Sequence, residues 1–360
     1  MLELDTVTAR GTPRELGRAQ GEAFRDRIHA YAAQRIDAFE AYAAERGRKR
    51  ARAEFLEAGA RCLKIHAAWH PAGAEEHAGI AEGAGIDSEL LYATTNMTDV
   101  RDVLLLPAPA ATDEGCTAML VPANLSASGE LVAGQTWDLN PGDLDFVVAV
   151  HRLPADGPET WSVTCAGALS LTGMNEHGIA VGTTNVKTRR SRPGVGYLGI
   201  LHRALDTRSL EEAFAAVRGA PRAAAHTYWV AGATAACEFE SDPADVVERT
   251  LAAAPLARTN HCLAPVFAAR EGEPMTQSSA RRLARAEAVL GRGGIDVSRL
   301  RALFADRSDG VDSISRYAED GQGTSTNACL VAVPARRELW ACRGPSERGA
   351  WRQLAFERSA

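Results

Sequence analysis

The chain has 360 residues, 46% of them hydrophobic and 24% charged, with 32 Gly and 16 Pro. That composition excludes disordered, collagen-like and low-complexity classes and supplies ample core for folding without disulfides. Forty basic against 46 acidic residues leave a net charge of −6, which argues against a nucleic-acid partner, and no apolar run reaches the ~18 residues that span a bilayer. No basic-then-apolar leader opens the sequence, so a cytoplasmic location is expected.

Thr12-Pro13-Arg14-Glu15 has the form of a capping box with proline at the first helical position. Apolar and small residues then recur at helical spacing from Leu16 to Ala44. A second helix is predicted over 53–69, stopped by His70-Pro71, and a third over 74–82, before Gly83 and Gly85. Near residue 115 the texture changes to short runs between turn residues, at 117–122, 130–137, 146–153, 160–166 and 169–174. Asn175-Glu176-His177-Gly178 turns into Ile179–Asn185 as a hairpin. Helices are predicted at 197–205 and 210–218, then strands at 227–230, 235–240 and 246–251. Two more helices follow around 279–291 and 298–305, before a closing hairpin of 328–333 with 338–342. Strand blocks between helical blocks point to an α+β layered architecture of largely antiparallel sheets. With neither linker nor repeat in view, residues 1–360 are expected to form one domain.

Seven cysteines, at 62, 116, 165, 237, 262, 329 and 342, are scattered and never spaced C-x-x-C. That fits neither a disulfide framework nor a structural zinc site. His66 and His70 stand i, i+4 on a helix but lack the Glu of H-E-x-x-H and a third ligand, so they read as packed or solvated helix histidines. No metal and no cofactor is expected. Gly194–Gly199 matches G-x-G-x-x-G but follows a basic loop rather than a strand, which a dinucleotide fingerprint does not do. The basic clusters Arg46–Arg52 and Lys187–Arg192 lack interleaved aromatics and read as solvated surface.

One junction stands apart. Asp113-Glu114-Gly115-Cys116-Thr117 joins the helical part to the strand-rich part, with a cysteine at the start of a strand. A Gly-Cys pair alone means little, since 7 Cys and 32 Gly predict about 0.6 by chance. Its context raises it. Gly134-Gln135-Thr136-Trp137-Asp138 ends the next strand, and Arg258-Thr259-Asn260-His261-Cys262 ends another. Add the opening GTPRELGRAQGEAF, the hairpin GMNEHGIAV and SISRYAEDG at 313–321. In this order, over nearly the whole chain, these motifs resemble the penicillin acyltransferase (isopenicillin-N acyltransferase-like) family of cysteine N-terminal-nucleophile (Ntn) hydrolases. The hairpin with Asn185 beyond it is also similar to the choloylglycine hydrolases, but Thr117 stands where those carry an Arg beside the cysteine, which favours the acyltransferase branch.

The resemblance implies a four-layer αββα sandwich of antiparallel sheets with a helical N-terminal segment, made as a precursor that cuts itself. The Cys116 thiol attacks the Gly115 carbonyl, an N-to-S shift gives a thioester, and water separates a helix-rich fragment 1–115 from a strand-rich fragment 116–360. The two pieces stay together as an obligate heterodimer. Glycine at 115 suits an unhindered approach and an unusual backbone angle. The freed α-amine, titrating near ~7.7–8.0, is matched to act as general base for its own thiol.

The same resemblance implies Asp138 beside the nucleophile, at the new amine or the oxyanion, and Asn260 as an oxyanion donor. It also implies Arg316 as the receiver of a substrate carboxylate, with Trp137 and Asn185 as further substrate-binding positions. The implied reaction cleaves or transfers the acyl group of a small N-acyl substrate, amide or thioester, with acyl-CoA among the donors. Two other readings stay open. One is a single-chain Cys-His hydrolase pairing Cys116 or Cys262 with His261 or His226, and the other a non-catalytic protein that binds a small carboxylate through Arg316.

Overall fold

The computed structural model describes residues 1–48, 51–108 and 115–357. Asp113 and Glu114 of the junction, and Lys49 and Arg50 of the first basic cluster, lie outside the described residues. β1 (Asp5–Gly11) leads into α1 (Pro13–Ala23), which opens on the predicted capping box. The Glu15 N–H donates to the Thr12 hydroxyl, and the Thr12 N–H donates to the Glu15 carboxylate. α1 stops at buried Phe24, and α2 (Arg25–Glu45) restarts beyond it, so the single helix expected over 16–44 is two. Periodicity does not register such a break, because both halves keep the same helical spacing.

Pro71 acts as a start. α3 (Ala51–Trp69) ends before His70, and α4 (Pro71–Ala84) places Pro71 in its first turn, where a missing N–H costs nothing; α4 is therefore longer than the expected 74–82. α1 and α4 run parallel in close contact. A Cβ on Gly17 would fall 1.9 Å from the Glu76 carbonyl oxygen, and one on Gly21 2.3 Å from that of Ile80. α5 (Ser88–Thr95) and α6 (Met97–Leu105), which the sequence reading did not predict, follow.

The strand-rich part keeps the predicted order. It runs β2 (Gly115–Val121), β3 (Val132–Leu139), β4 (Val147–Pro154), β5 (Thr160–Cys165), β6 (Thr172–Asn175) and β7 (Ala180–Asn185). Then come α7 (Tyr197–Leu205), α8 (Leu210–Arg218), β8 (His226–Ala231), β9 (Ala236–Ser241), β10 (Val246–Thr250) and β11 (Leu256–Arg258). The chain finishes with α9 (Pro265–Ala268), α10 (Gln277–Leu290), α11 (Val297–Phe304), β12 (Ser325–Val333), β13 (Glu338–Arg343) and β14 (Arg352–Gln353).

Among the described residues the strands form two sheets, ordered β1-β4-β5-β6-β7-β8-β9-β10 and β11-β2-β3-β12-β13-β14. Neighbours pair antiparallel except β1, which runs parallel to β4. β1 was not predicted: it is an edge strand with mostly exposed or half-buried residues, so its alternation is weak.

The two-residue strand period makes the layers. On β2, Cys116, Ala118 and Leu120 join the core shared with the larger sheet, whereas Met119 and Val121 pack with Leu290, Leu300 and Phe304 of α10 and α11. α1, α7 and α8 pack against strands of the larger sheet, which completes an αββα order. Gln135 on β3 ties the sheets together. Its Oε1 accepts the Thr183 N–H of β7 at 2.8 Å and the Trp229 indole N–H of β8 at 2.7 Å. Gly182 leaves the space for it, since a Cβ there would sit 2.1 Å from that oxygen. Among the described residues, no helix is long and apolar enough to cross a membrane.

Candidate active site

Cys116 is the second residue of β2 and lies opposite Trp137 of β3, with Gly115 opposite Asp138. Its Sγ lies 3.8 Å from the Asp138 carbonyl oxygen. The residue lines a small, half-open cavity between the sheets, of about 30 Å³. That is room for a water molecule or two. Trp137, Leu139, Leu171 and Tyr197 form its apolar wall, and Asn185, Asn260, Thr98, Thr183 and His226 its polar side. Cys116, Asp138, Asn260, Trp137 and Asn185, far apart in sequence, therefore meet at one cavity.

The backbone N–H of Cys116 donates to Asn260 Oδ1 at 2.7 Å. The other end of the Asn260 amide donates from Nδ2 to the Asn185 carbonyl at 3.0 Å, which fixes the orientation of the side chain. Asn260 is delivered by the turn after β11, and its N–H donates to the Ser279 hydroxyl of α10 at 2.9 Å. A third partner was missed by the sequence reading. Arg282, fully buried on α10, donates to the Cys116 carbonyl, to the Thr117 hydroxyl at 3.0 Å and to Asn260 Oδ1 at 3.0 Å. Its buried neighbours Ser278, Ser279, Ala286, Val289 and Leu290 recur at helical spacing. A cation inside that small and apolar stripe is the signal the sequence offers.

Behind Cys116 lies a charged group. Burial pushes the Asp138 carboxyl up to about 6, against the opposing pull of Arg282, Arg316 and the hydroxyls of Thr326 and Thr136. Asp138 Oδ1 has no hydrogen-bond partner among the described residues. Arg316 is buried behind the junction rather than among the residues lining the cavity. A Cβ on Gly115 would fall 2.5 Å from its Nη1 and 3.2 Å from Asp138 Oδ2. Gly115 is the first residue of the strand, and the backbone angle expected to be unusual there turns on Glu114, which lies outside the described residues. The glycine is needed for space, because Arg316 occupies the position of a side chain.

The histidines of the open Cys-His reading are engaged elsewhere. His261 Nδ1 lies 2.8 Å from the Ser279 hydroxyl, and burial, helped by Arg258 and Arg282, lowers its pKa. Burial and the nearby Glu271 and Glu240 push the Cys262 thiol far above its usual value, which makes it a poor nucleophile. His226 shares the cavity with Cys116 but lies 2.6 Å from an Asp99 oxygen through Nε2. The Gly194–Gly199 run follows no strand and leads into α7.

A model of the family described as acyl-coenzyme A:6-aminopenicillanic acid acyl-transferase matches residues 126–347, more than half of the chain. No curated protein matches. Among solved structures, the fold is similar to penicillin V acylase from Agrobacterium tumefaciens, with 12% identity, 66% of this chain and 86% of that one covered, and a TM-score of 0.40. It is also similar to a variant of conjugated bile acid hydrolase from Clostridium perfringens, with 10% identity, 67% and 97% covered, and a TM-score of 0.46. The αββα layering expected for an Ntn hydrolase is the layering observed, and by the family match the chain belongs to the acyl-coenzyme A:6-aminopenicillanic acid acyltransferase family.

Proposed function

We propose that the protein is a self-processing cysteine amidohydrolase or acyltransferase acting on a small N-acyl compound, with Cys116 as nucleophile. One observation carries the reading: the backbone nitrogen of Cys116 is held by Asn260 Oδ1 at 2.7 Å, on a cysteine that lines the cavity. In processing, Sγ adds to the Gly115 carbonyl carbon, the bond to the Cys116 nitrogen breaks and that nitrogen takes a proton. Water then hydrolyses the thioester, leaving a Gly115 carboxylate and a free thiol. The nitrogen becomes an α-amine on an existing acceptor, suited to take the proton from its own thiol.

The thiolate then attacks the substrate carbonyl. The second hydrogen of Asn260 Nδ2 serves the developing oxyanion, the ammonium returns its proton to the leaving amine, and a thioester remains on Sγ. Water is the default acceptor; an amine in its place gives acyl transfer. The apolar wall of Trp137, Leu139, Leu171 and Tyr197 suits a small acyl group, from an amide or from a thioester such as acyl-CoA. Arg316 supports Asp138 in this scheme. The fragments stay paired, because β1 is a strand of the larger sheet and Glu76 of α4 bonds Arg152 of β4 at 2.6 Å.

The test is to incubate purified protein with N-acyl p-nitroanilides and short acyl-CoA thioesters, quench in acid and map the adducts. The reading expects the acyl mass on Cys116 at the start of fragment 116–360. Turnover with the adduct on another residue would contradict it.

A further inference from the structure

His226 and Asp99 form a buried pair that the scheme above does not use. His226 is the first residue of β8, opposite Asn185 on β7, and lines the Cys116 cavity. Asp99 comes from α6, upstream of the Gly115–Cys116 bond. Its Oδ2 accepts the Tyr197 N–H at 2.7 Å, and its Oδ1 lies 2.6 Å from His226 Nε2. The Tyr197 ring stacks on the imidazole with centroids 4.8 Å apart, so the ring is held on its face and at one edge. His226 is 2% exposed, and its Nδ1 has no hydrogen-bond partner among the described residues.

A carboxylate only accepts, so Asp99 places the imidazole hydrogen on Nε2. In the neutral ring Nδ1 is then an acceptor, and leaving a buried acceptor unpaired is unfavourable. We infer that His226 is a specificity-determining residue: Nδ1 accepts a hydrogen bond from an N–H or O–H group of the substrate, next to the carbonyl that Cys116 attacks. The inference rests on Cys116 being the nucleophile. It narrows the substrate class to compounds with such a donor, amides before thioesters. It also makes the segment before the cut part of the mature site, since Asp99 sets which nitrogen of His226 accepts.

The experiment compares alkylation of Cys116 by chloroacetamide, which carries N–H donors, and by methyl chloroacetate, which carries none. Peptide mass mapping confirms the modified residue, and the ratio of the two rates is divided by the same ratio for N-acetylcysteine. The wild type should favour the amide by about tenfold over that reference. In Asp99→Asn the oxygen stays with the Tyr197 N–H and the NH₂ faces Nε2. The ring hydrogen then moves to Nδ1, and the preference for the amide is lost or reversed. His226→Phe should abolish it. Asp99→Asn, being isosteric, keeps the test intact if His226→Phe does not fold.

A wild-type ratio equal to the reference, a preference retained in Asp99→Asn, or no labelling of Cys116 by either reagent overturns the inference. A purely structural role for the pair would change both rates together and leave the ratio alone. Alkylation reads the thiol whether or not the chain is cut, so failure here is distinguishable from failure of self-processing, which shows as an uncut mass.

Discussion

Arg282 holds Cys116 by the carbonyl while Asn260 holds it by the nitrogen, and the same arginine also donates to Asn260 Oδ1. The nucleophile's backbone is thereby fixed at both ends by a network from the turn after β11 and from α10, and its side chain is left to the cavity. Replacing Arg282 with Lys removes the planar fork that serves several acceptors at once. Self-processing should slow at least about tenfold. Arg282→Met, which removes the donor from the Cys116 carbonyl, the Asn260 Oδ1 and the Thr117 and Ser278 hydroxyls, should cost on the order of 2–5 kcal/mol in urea unfolding. Unchanged processing in Arg282→Lys would show that the fork does not position Cys116.

Asp138 gives the protein a pH dependence. Burial holds its carboxyl up to about 6 when folded, above an unfolded value near 4. Between these values the folded chain keeps a proton that the unfolded chain releases. This group's contribution to stability is therefore fully present below about pH 4 and is lost as pH rises through 6. Urea midpoints across pH 4–7 should fall in the wild type and fall less in Asp138→Asn. Equal slopes would refute the assignment.

Gly115 is the position where space decides. In Gly115→Ala the new methyl meets the Arg316 guanidinium at 2.5 Å, so strand or arginine must shift, at about 1–3 kcal/mol. The variant should melt at a lower temperature and process at least about tenfold more slowly, followed by mass against time.

Gln135 is expected to matter for stability before chemistry. Gln135→Leu leaves the Thr183 N–H and the Trp229 indole N–H without their acceptor between the sheets. A loss on the order of 3 kcal/mol in urea unfolding is expected, with the Cys116 adduct still forming in the folded fraction.

The strand-rich half was legible because its runs are short, apolar and bounded by turn residues, and Tyr197–Leu205 and Leu210–Arg218 fall where their periodicity puts them. What escaped had physical reasons. The break at Phe24 keeps helical spacing on both sides, and β1 is a weakly alternating edge strand. The candidate site was readable where residues fall in motifs, as Cys116, Asp138 and Asn260 do. Asp99, and the pairing of His226 with it, became visible only through tertiary contact, and the one sign of Arg282 in the sequence is a cation inside a small and apolar helical stripe. A steric reason for glycine at 115 was not legible either: no local pattern shows that Arg316, far along the chain, occupies the space of its side chain.

The most direct test of self-processing is the intact mass, under denaturing conditions, of wild type and Cys116→Ala purified side by side. The account predicts two fragments, 1–115 and 116–360, from the wild type and one uncut chain from the variant. A wild type that stays whole, or a variant that is cut at the same bond, would contradict it.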